Sequence, residues 1–301
     1  MATILIGGGT GFIGMHLSRR LRSLGHQVRH LSRTADRSAD FPAYHWDVAA
    51  GKIDDAAFDG VEYVINLAGA GIADAHWTAR RKQLIIDSRT QSTALLASTL
   101  GRLQLRPRLY LSASAIGFYG DRGNDLMRES DSPGTGFLSK SCVLWEESTE
   151  AIRGLGIPLF INRTGIVLHP EGGALQKMLL PLHARVSTYF GDGAQYYSWI
   201  HLDDIVNIYA YAIEHGLTGV YNGTAPEPVT NKVLAAALGP AAGKSALLLP
   251  APSFALKLAM GEMSHTVLDS CRCSAAKVQA AGFEFAHPEL EGALRDLLAD
   301  R

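Results

Sequence analysis

The chain has 301 residues, of which 47% are hydrophobic, and its 28 Lys and Arg against 29 Asp and Glu leave a formal charge of −1. That balance excludes intrinsic disorder, which needs low hydrophobicity with high net charge. It equally excludes bulk electrostatic binding to nucleic acid or anionic lipid. The number that asks for an explanation is 31 glycines, about 10% of the chain against roughly 7% in an average protein.

Short β-rich runs alternate with longer helical ones. A buried strand is expected over 3–7, then a helix through Leu17 and Leu21 that stops at Gly25, then strands at 27–31, 43–46 and 62–66. The pattern goes on with a long helix over 75–100, a strand at 108–112, a helix over 136–153 and a strand at 158–163. Strands alternating with such helices imply right-handed βαβ units around a parallel sheet. The expected fold class is therefore α/β, a Rossmann doubly wound parallel sheet. After Gly165 the rhythm breaks at Pro170, Pro226, Pro228, Pro250 and Pro252, which marks a smaller C-terminal lobe. The expected division is a nucleotide-binding domain of 1–165 plus about 198–221, and a lobe of about 166–197 plus 222–301. Two helices, 274–281 and 288–298, close the chain, the second with Leu290, Leu294, Leu297 and Leu298 on one stripe.

Three cysteines, Cys142, Cys271 and Cys273, are too few for a disulfide framework and fit a reducing compartment. No His or Cys cluster completes a metal site around the Cys271 and Cys273 pair, so no metal is expected. No run approaches the roughly 18 apolar residues of a membrane span, and the apolar start lacks a basic leader and a cleavage site. The expectation is a cytoplasmic protein without a membrane or nucleic-acid partner.

The glycines gather first at Gly8, Gly9, Gly11 and Gly14, a turn that also holds Thr10, Phe12 and Ile13, directly between the first strand and the first helix. A dinucleotide site needs glycine at 8 for the tight turn, at 11 for close approach of backbone to a pyrophosphate, and at 14 for helix–strand packing. The helix N-terminus then offers free N–H groups to the phosphates. At the end of the second strand, where NAD enzymes place a carboxylate, stand Ser32 and Arg33, with Arg37 one turn beyond. A guanidinium suits a 2′-phosphate, so the expected cofactor is NADP(H). Asp47, at the end of the third strand, reads equally as a partner of the adenine amino group and as a turn former.

These residues, with Asn66, Ala68 and Gly69 after the fourth strand and 112–120 after the fifth, resemble extended short-chain dehydrogenase/reductases. Trp199, Ile200, His201, Asp203 and Asp204 look like that family's later Ile-His-Val-Asp-Asp segment. More narrowly, 66–74 with Trp77, 163–168 with 172–178, Tyr221 and Asn222 with 228–230, and Lys277 with 281–285 resemble an atypical "epimerase family protein" branch. The resemblance implies a cofactor site that includes Asn66, Ala68 and Gly69, and a homodimer through two long helices. It also implies a Tyr-x-x-x-Lys proton relay, which the chain lacks: none of its ten tyrosines has Lys four residues later. Family spacing puts Leu138 or Ser139 in the Tyr slot and Cys142 or Val143 in the Lys slot.

What remains is Ser114, matching the family's catalytic Ser, and Tyr119, the nearest phenol in sequence and an alternative acid. A capping Ser and a packing Tyr are the competing readings. Lys140 and Lys177 are cations for the cleft or surface charges. Trp77, Tyr197 and Trp199 are pocket walls or core, and Asp203 caps a helix. Two functions follow. One is an NADP-dependent oxidoreductase or epimerase acting on a small polar, nucleotide-sugar-like substrate. The other is a non-catalytic NADPH-binding regulatory protein.

Overall fold

In the computed structural model, which describes residues 1–299, eight strands form one sheet. They are β1 (Thr3–Gly7), β2 (Gln27–Ser32), β3 (Ala43–Asp47), β4 (Lys52–Ile53), β5 (Val61–Asn66), β6 (Leu109–Ala115), and the strands Leu159–Thr164 and Gly219–Gly223. The spatial order is Gly219–Gly223, Leu159–Thr164, β6, β5, β1, β2, β3, β4. Every neighbouring pair is parallel except the β3–β4 hairpin. From β1 the chain runs outward to β2 and later returns to β5 on the other side. The switch point, where such sheets bind ligands, therefore lies at the carboxyl ends of β1 and β5.

Both faces of the sheet are covered, which is why β1 is a continuous apolar run. Ile4 and Ile6 point to one face, packed with Leu17 and Leu21 of α1 (Phe12–Ser23) and with Ile205, Ile208 and Tyr209 of the helix Leu202–His215. Leu5 points to the other, among Val64, Tyr110 and Ile161 and against Leu96 and Leu100 of α2 (Ala79–Arg102). The period of two along the strand sorts these side chains between faces. α2 starts at Ala79 rather than 75 because the Thr78 side chain accepts the Arg81 N–H, a helix N-cap. The helix expected over 136–153 breaks in two, α3 (Gly136–Ser148) and Glu150–Arg153, at Thr149. There the Thr149 hydroxyl donates to the Glu146 carbonyl at 2.6 Å.

The lobe has its own core, in which Leu168, Leu175, Trp199, Leu234, Leu238, Leu290 and Leu294 meet. Helix Leu290–Leu298 buries Leu290, Ala293 and Leu294 there, the half-buried Leu297 packs against them, and Leu298 is also buried. The excursion back to the main domain runs through Leu202–His215 to Gly219–Gly223, so its last strand ends at 223. A second return was not visible in the sequence. Ala275, Val278 and Phe283, expected in the lobe, pack with Ile205 and Tyr209 on the main sheet. Among the described residues no helix is long and apolar enough to cross a membrane.

Two buried histidines tie stability to pH. Burial holds His30 down to about 4; burial, then the neighbouring His287, does the same to His201. Both groups bind fewer protons folded than unfolded between pH 6.5 and about 4, so their contribution is complete above that window and is lost as pH falls through it. Asp204, raised chiefly by burial, opposes the trend at the acid end. Urea unfolding should give a constant midpoint from neutral pH down to about 6.5 and a falling one below. A flat midpoint across the window would contradict this assignment.

Candidate active site

The turn after β1 is shaped by contacts that exclude side chains. Gly8 has a φ of +78°, a left-handed conformation, and a Cβ there would sit 2.9 Å from the Ala68 nitrogen. Gly14 lies against the Gly8 carbonyl, so helix and turn can meet only without a side chain. At Gly9 the space of the missing Cβ is filled by the His30 ring. The Ser18 hydroxyl donates to the Gly14 carbonyl at 2.7 Å, so its oxygen accepts from His30 Nε2 at 2.7 Å. His30 stacks in turn on Phe41. A β2 side chain thus underpins the glycine turn. α1 begins with neither a side-chain cap nor an acidic residue in its first turn. Its leading N–H groups, at Phe12 and Ile13, therefore suit a phosphate. The Phe12 ring turns away and packs over Gly172 with His16 and His169, and Thr10 is exposed at the turn's rim.

Around this turn the predicted cofactor residues take different parts. Ser32 and Arg33 sit where β2 ends, and the exposed Arg33 makes no hydrogen bond or ion pair with other described residues. Arg37 is occupied: it pairs with Asp54 at 2.7 Å and lies 3.4 Å over the Tyr44 ring. Asp47 accepts the Ala50 N–H at 3.0 Å and so closes its own turn. Asn66 is fully buried. Its amide donates to Ser92 and Thr93, both at 3.2 Å, and its oxygen accepts the Ala68 N–H at 3.2 Å. Asn66 therefore shapes the loop, and Ala68 and Gly69 are the residues it presents.

At the carboxyl end of β6 the structure assembles a network that sequence reasoning missed. Ser114 donates to Glu146 of α3 at 2.6 Å. Both Glu146 oxygens are held by Arg163, at 2.9 and 2.8 Å, the two-pronged geometry of strong guanidinium–carboxylate pairs. Arg163 also lies 3.4 Å over the Phe118 ring and donates to the Tyr119 hydroxyl at 2.9 Å. Tyr119 donates onward to Asn222 at 2.7 Å. Of the two readings of Tyr119, acid or packing residue, this placement fits the packing one. Its side chain has no exposure, its hydroxyl is committed at both ends, and burial drives its pKa up against the pull of Arg163. Ser114 is 3% exposed, its proton directed at Glu146 and its oxygen left with acceptor capacity.

Other candidates resolve plainly. Lys140 and Lys177 are exposed. Trp77 donates to the Ile72 carbonyl at 2.8 Å and packs edge-on against Phe137. Tyr197 and Trp199 are buried in the lobe, bonded to the Val267 and Glu227 carbonyls. The helix Leu202–His215 is capped by His201, whose Nδ1 accepts the Asp203 N–H, and not by Asp203 itself. His201, His287 and Asp296 lie close enough to suggest a metal. The Asp203 bond, however, leaves the ring proton on Nε2, toward Asp296 at 3.3 Å. That tautomer has no free lone pair for an ion.

The chain has relatives among known proteins. Residues 4–223 match the NAD dependent epimerase/dehydratase family. The chain belongs to that family. Residues 251–297 match a domain of unknown function, DUF1731. The chain is 35% identical over 295 residues to Epimerase family protein Mb2239 of Mycobacterium bovis, covering 97% of this chain and 96% of that one. It is 34% identical to Epimerase family protein YfhF of Bacillus subtilis, covering 99% and 98%. Among solved structures it resembles the human epimerase family protein SDR39U1 (isoform 2), determined with NADPH. The TM-score there is 0.88 at 28% identity, covering 99% of this chain and 100% of that one.

Within the epimerase/dehydratase family this chain is an atypical extended short-chain dehydrogenase/reductase, and its departure is spatial as well as sequential. Leu138 and Cys142 stand 3.4 and 3.6 Å from where a Cβ on Gly117 would lie, beside the loop after β6. Burial pushes the Cys142 thiol up to about 12. Glu146 follows Cys142 by four residues, on the same face of α3. The signal available in sequence was a carboxylate continuing the Leu138–Cys142 stripe. Arg163 and Glu146 are 5% and 12% exposed, so Arg163→Met should cost about 3–5 kcal/mol by stranding a buried carboxylate. Adding Glu146→Gln should recover part of that loss. Denaturant unfolding of both variants checks this; an unchanged Arg163→Met midpoint would contradict it.

Proposed function

We propose that the protein binds NADP(H) in the crevice at the carboxyl ends of β1 and β5 and acts as an oxidoreductase or epimerase on a small polar substrate. The observation that carries the cofactor reading is Arg33, exposed and unpaired where β2 ends beside an uncapped glycine turn. The guanidinium suits the 2′-phosphate, and the leading N–H groups of α1 suit the pyrophosphate. The NADPH in the human SDR39U1 structure supports the same reading. Bound NADP(H) supplies or accepts a hydride.

The chain's own part in the chemistry falls to Ser114. With its proton directed to Glu146, the Ser114 oxygen accepts a hydrogen bond from a substrate hydroxyl. Glu146 and Arg163 keep that serine in one orientation. In alcohol oxidation Glu146 stays a carboxylate held by Arg163 and fixes the serine, and Ser114 orients the substrate hydroxyl through its hydrogen bond. The hydroxyl proton leaves to water, so no phenol is needed. A second reading, an NADPH-binding protein without turnover, draws support from the locked Tyr119 and from Leu138 and Cys142 in the slots of the missing relay.

Arg33→Asp should weaken NADPH about tenfold or more while changing NADH little; an equal loss of both overturns the 2′-phosphate assignment. Ser114→Ala should keep NADPH affinity and abolish its oxidation by a panel of carbonyl compounds and sugar nucleotides. Tight NADPH with no consumption by the unaltered protein would favour the reading without turnover.

A further inference from the structure

Two arginines of α2 face the loop that follows β5. Arg81 reaches the Gly71 carbonyl and the exposed Asp74, the latter at 3.3 Å. Arg89 has no such carboxylate. Its Nη1 donates to the carbonyls of Ala70 at 3.0 Å and Ile85 at 2.9 Å. Its guanidinium carbon stands 4.9 Å from the centre of the Trp145 ring and 3.0 Å from where a Cβ on Gly69 would lie. Gly69 belongs to the loop that Asn66 presents beside the glycine turn. Arg89 is thus fixed between the cofactor loop and the helix carrying Cys142 and Glu146.

Its charge is not neutralised by the protein. Among the described residues no carboxylate pairs with it, and its Nε and Nη2 groups have no protein acceptor, yet neither is sealed from solvent. Burial, foremost, and the like charge of Arg81 both work against its protonated form. The open Nε–Nη2 edge is the fork that takes a carboxylate or phosphate through two parallel hydrogen bonds. The Trp145 ring lies within cation–π reach, and the two carbonyls fix the guanidinium's rotation. Lys82, on the same helix and over the Phe137 ring, is by contrast neutralised by Glu262 of the lobe.

We propose that Arg89 anchors an oxyanion, a carboxylate or phosphate, on the substrate of this crevice. The inference rests on the crevice being the substrate site, and it sharpens "small polar" to "anionic". A neutral ligand there would shield Arg89 from water and leave its charge unpaired, a cost that an oxyanion removes.

The probes are acetate, inorganic phosphate and neutral acetamide, titrated into the full chain with and without NADPH. The readout is the Arg89 side-chain Nε–H resonance, assigned by its loss in Arg89→Lys. Acetate or phosphate should shift it saturably, and acetamide should not. Anion affinity, followed by tryptophan fluorescence, should fall about tenfold or more in Arg89→Met and in Arg89→Lys, whose point charge lacks the fork. NADPH affinity and the melting temperature of Arg89→Lys should stay close to those of the unaltered chain. The proposal is overturned if neither anion moves the resonance, or if Arg89→Lys binds anions undiminished. It is equally overturned if NADPH affinity falls in step, which makes Arg89 a cofactor ligand. Absence of NADPH binding in the unaltered protein would sink the cofactor reading instead, and the anion titrations without NADPH still decide this one.

Discussion

The ion pair between Glu146 and Arg163 is the constraint on which the site depends. It joins α3 to the strand Leu159–Thr164 and holds Ser114 on β6. Through Tyr119 it reaches Asn222 in the last strand of the sheet. Isolated, either charge would be expensive at this depth. Together, with the serine and tyrosine hydroxyls and the Phe118 ring completing the cage, they fix the carboxyl ends of three strands. The same pairing sets the two hydroxyls apart. Tyr119 is consumed by the cage, and Ser114 keeps acceptor capacity.

The other half of the crevice has a matching foundation. His30 fills the space that Gly9 leaves, and through Ser18 it braces the carbonyl of Gly14. The turn can then approach the Ala68 loop, which Asn66 shapes from below. One buried polar network thus supports the glycine turn and another the carboxyl end of β6. Between them stands a guanidinium, Arg89, bonded among the described residues to carbonyls alone. Where family spacing puts the phenol and ammonium, Leu138 or Ser139 and Cys142 or Val143 stand, and the charges that act on Cys142 are those of Glu146, Arg89 and Arg163.

What could be read from sequence follows from the range of each signal. The strands, α1 and the glycine turn rest on local periodicity and on backbone geometry that only glycine allows, as at Gly8. The place of Arg33 just after β2 was legible because it is set by a short count from the turn. Glu146 was not, because a carboxylate on a helix reads as a solvated charge until its partner on a distant strand is known. Tyr119 stayed open between acid and packing residue for a related reason: closeness to Ser114 in sequence says nothing of a hydroxyl that turns toward Asn222. The second return of the chain, through Val278 and Phe283, depends on packing between remote segments and left no local mark.

A crystal structure of the NADPH complex tests the central claim most directly. The account predicts the 2′-phosphate on Arg33, the nicotinamide beside Ser114, and the Glu146–Arg163–Tyr119–Asn222 chain unchanged. A Tyr119 hydroxyl released from Asn222 and turned toward the nicotinamide would contradict it.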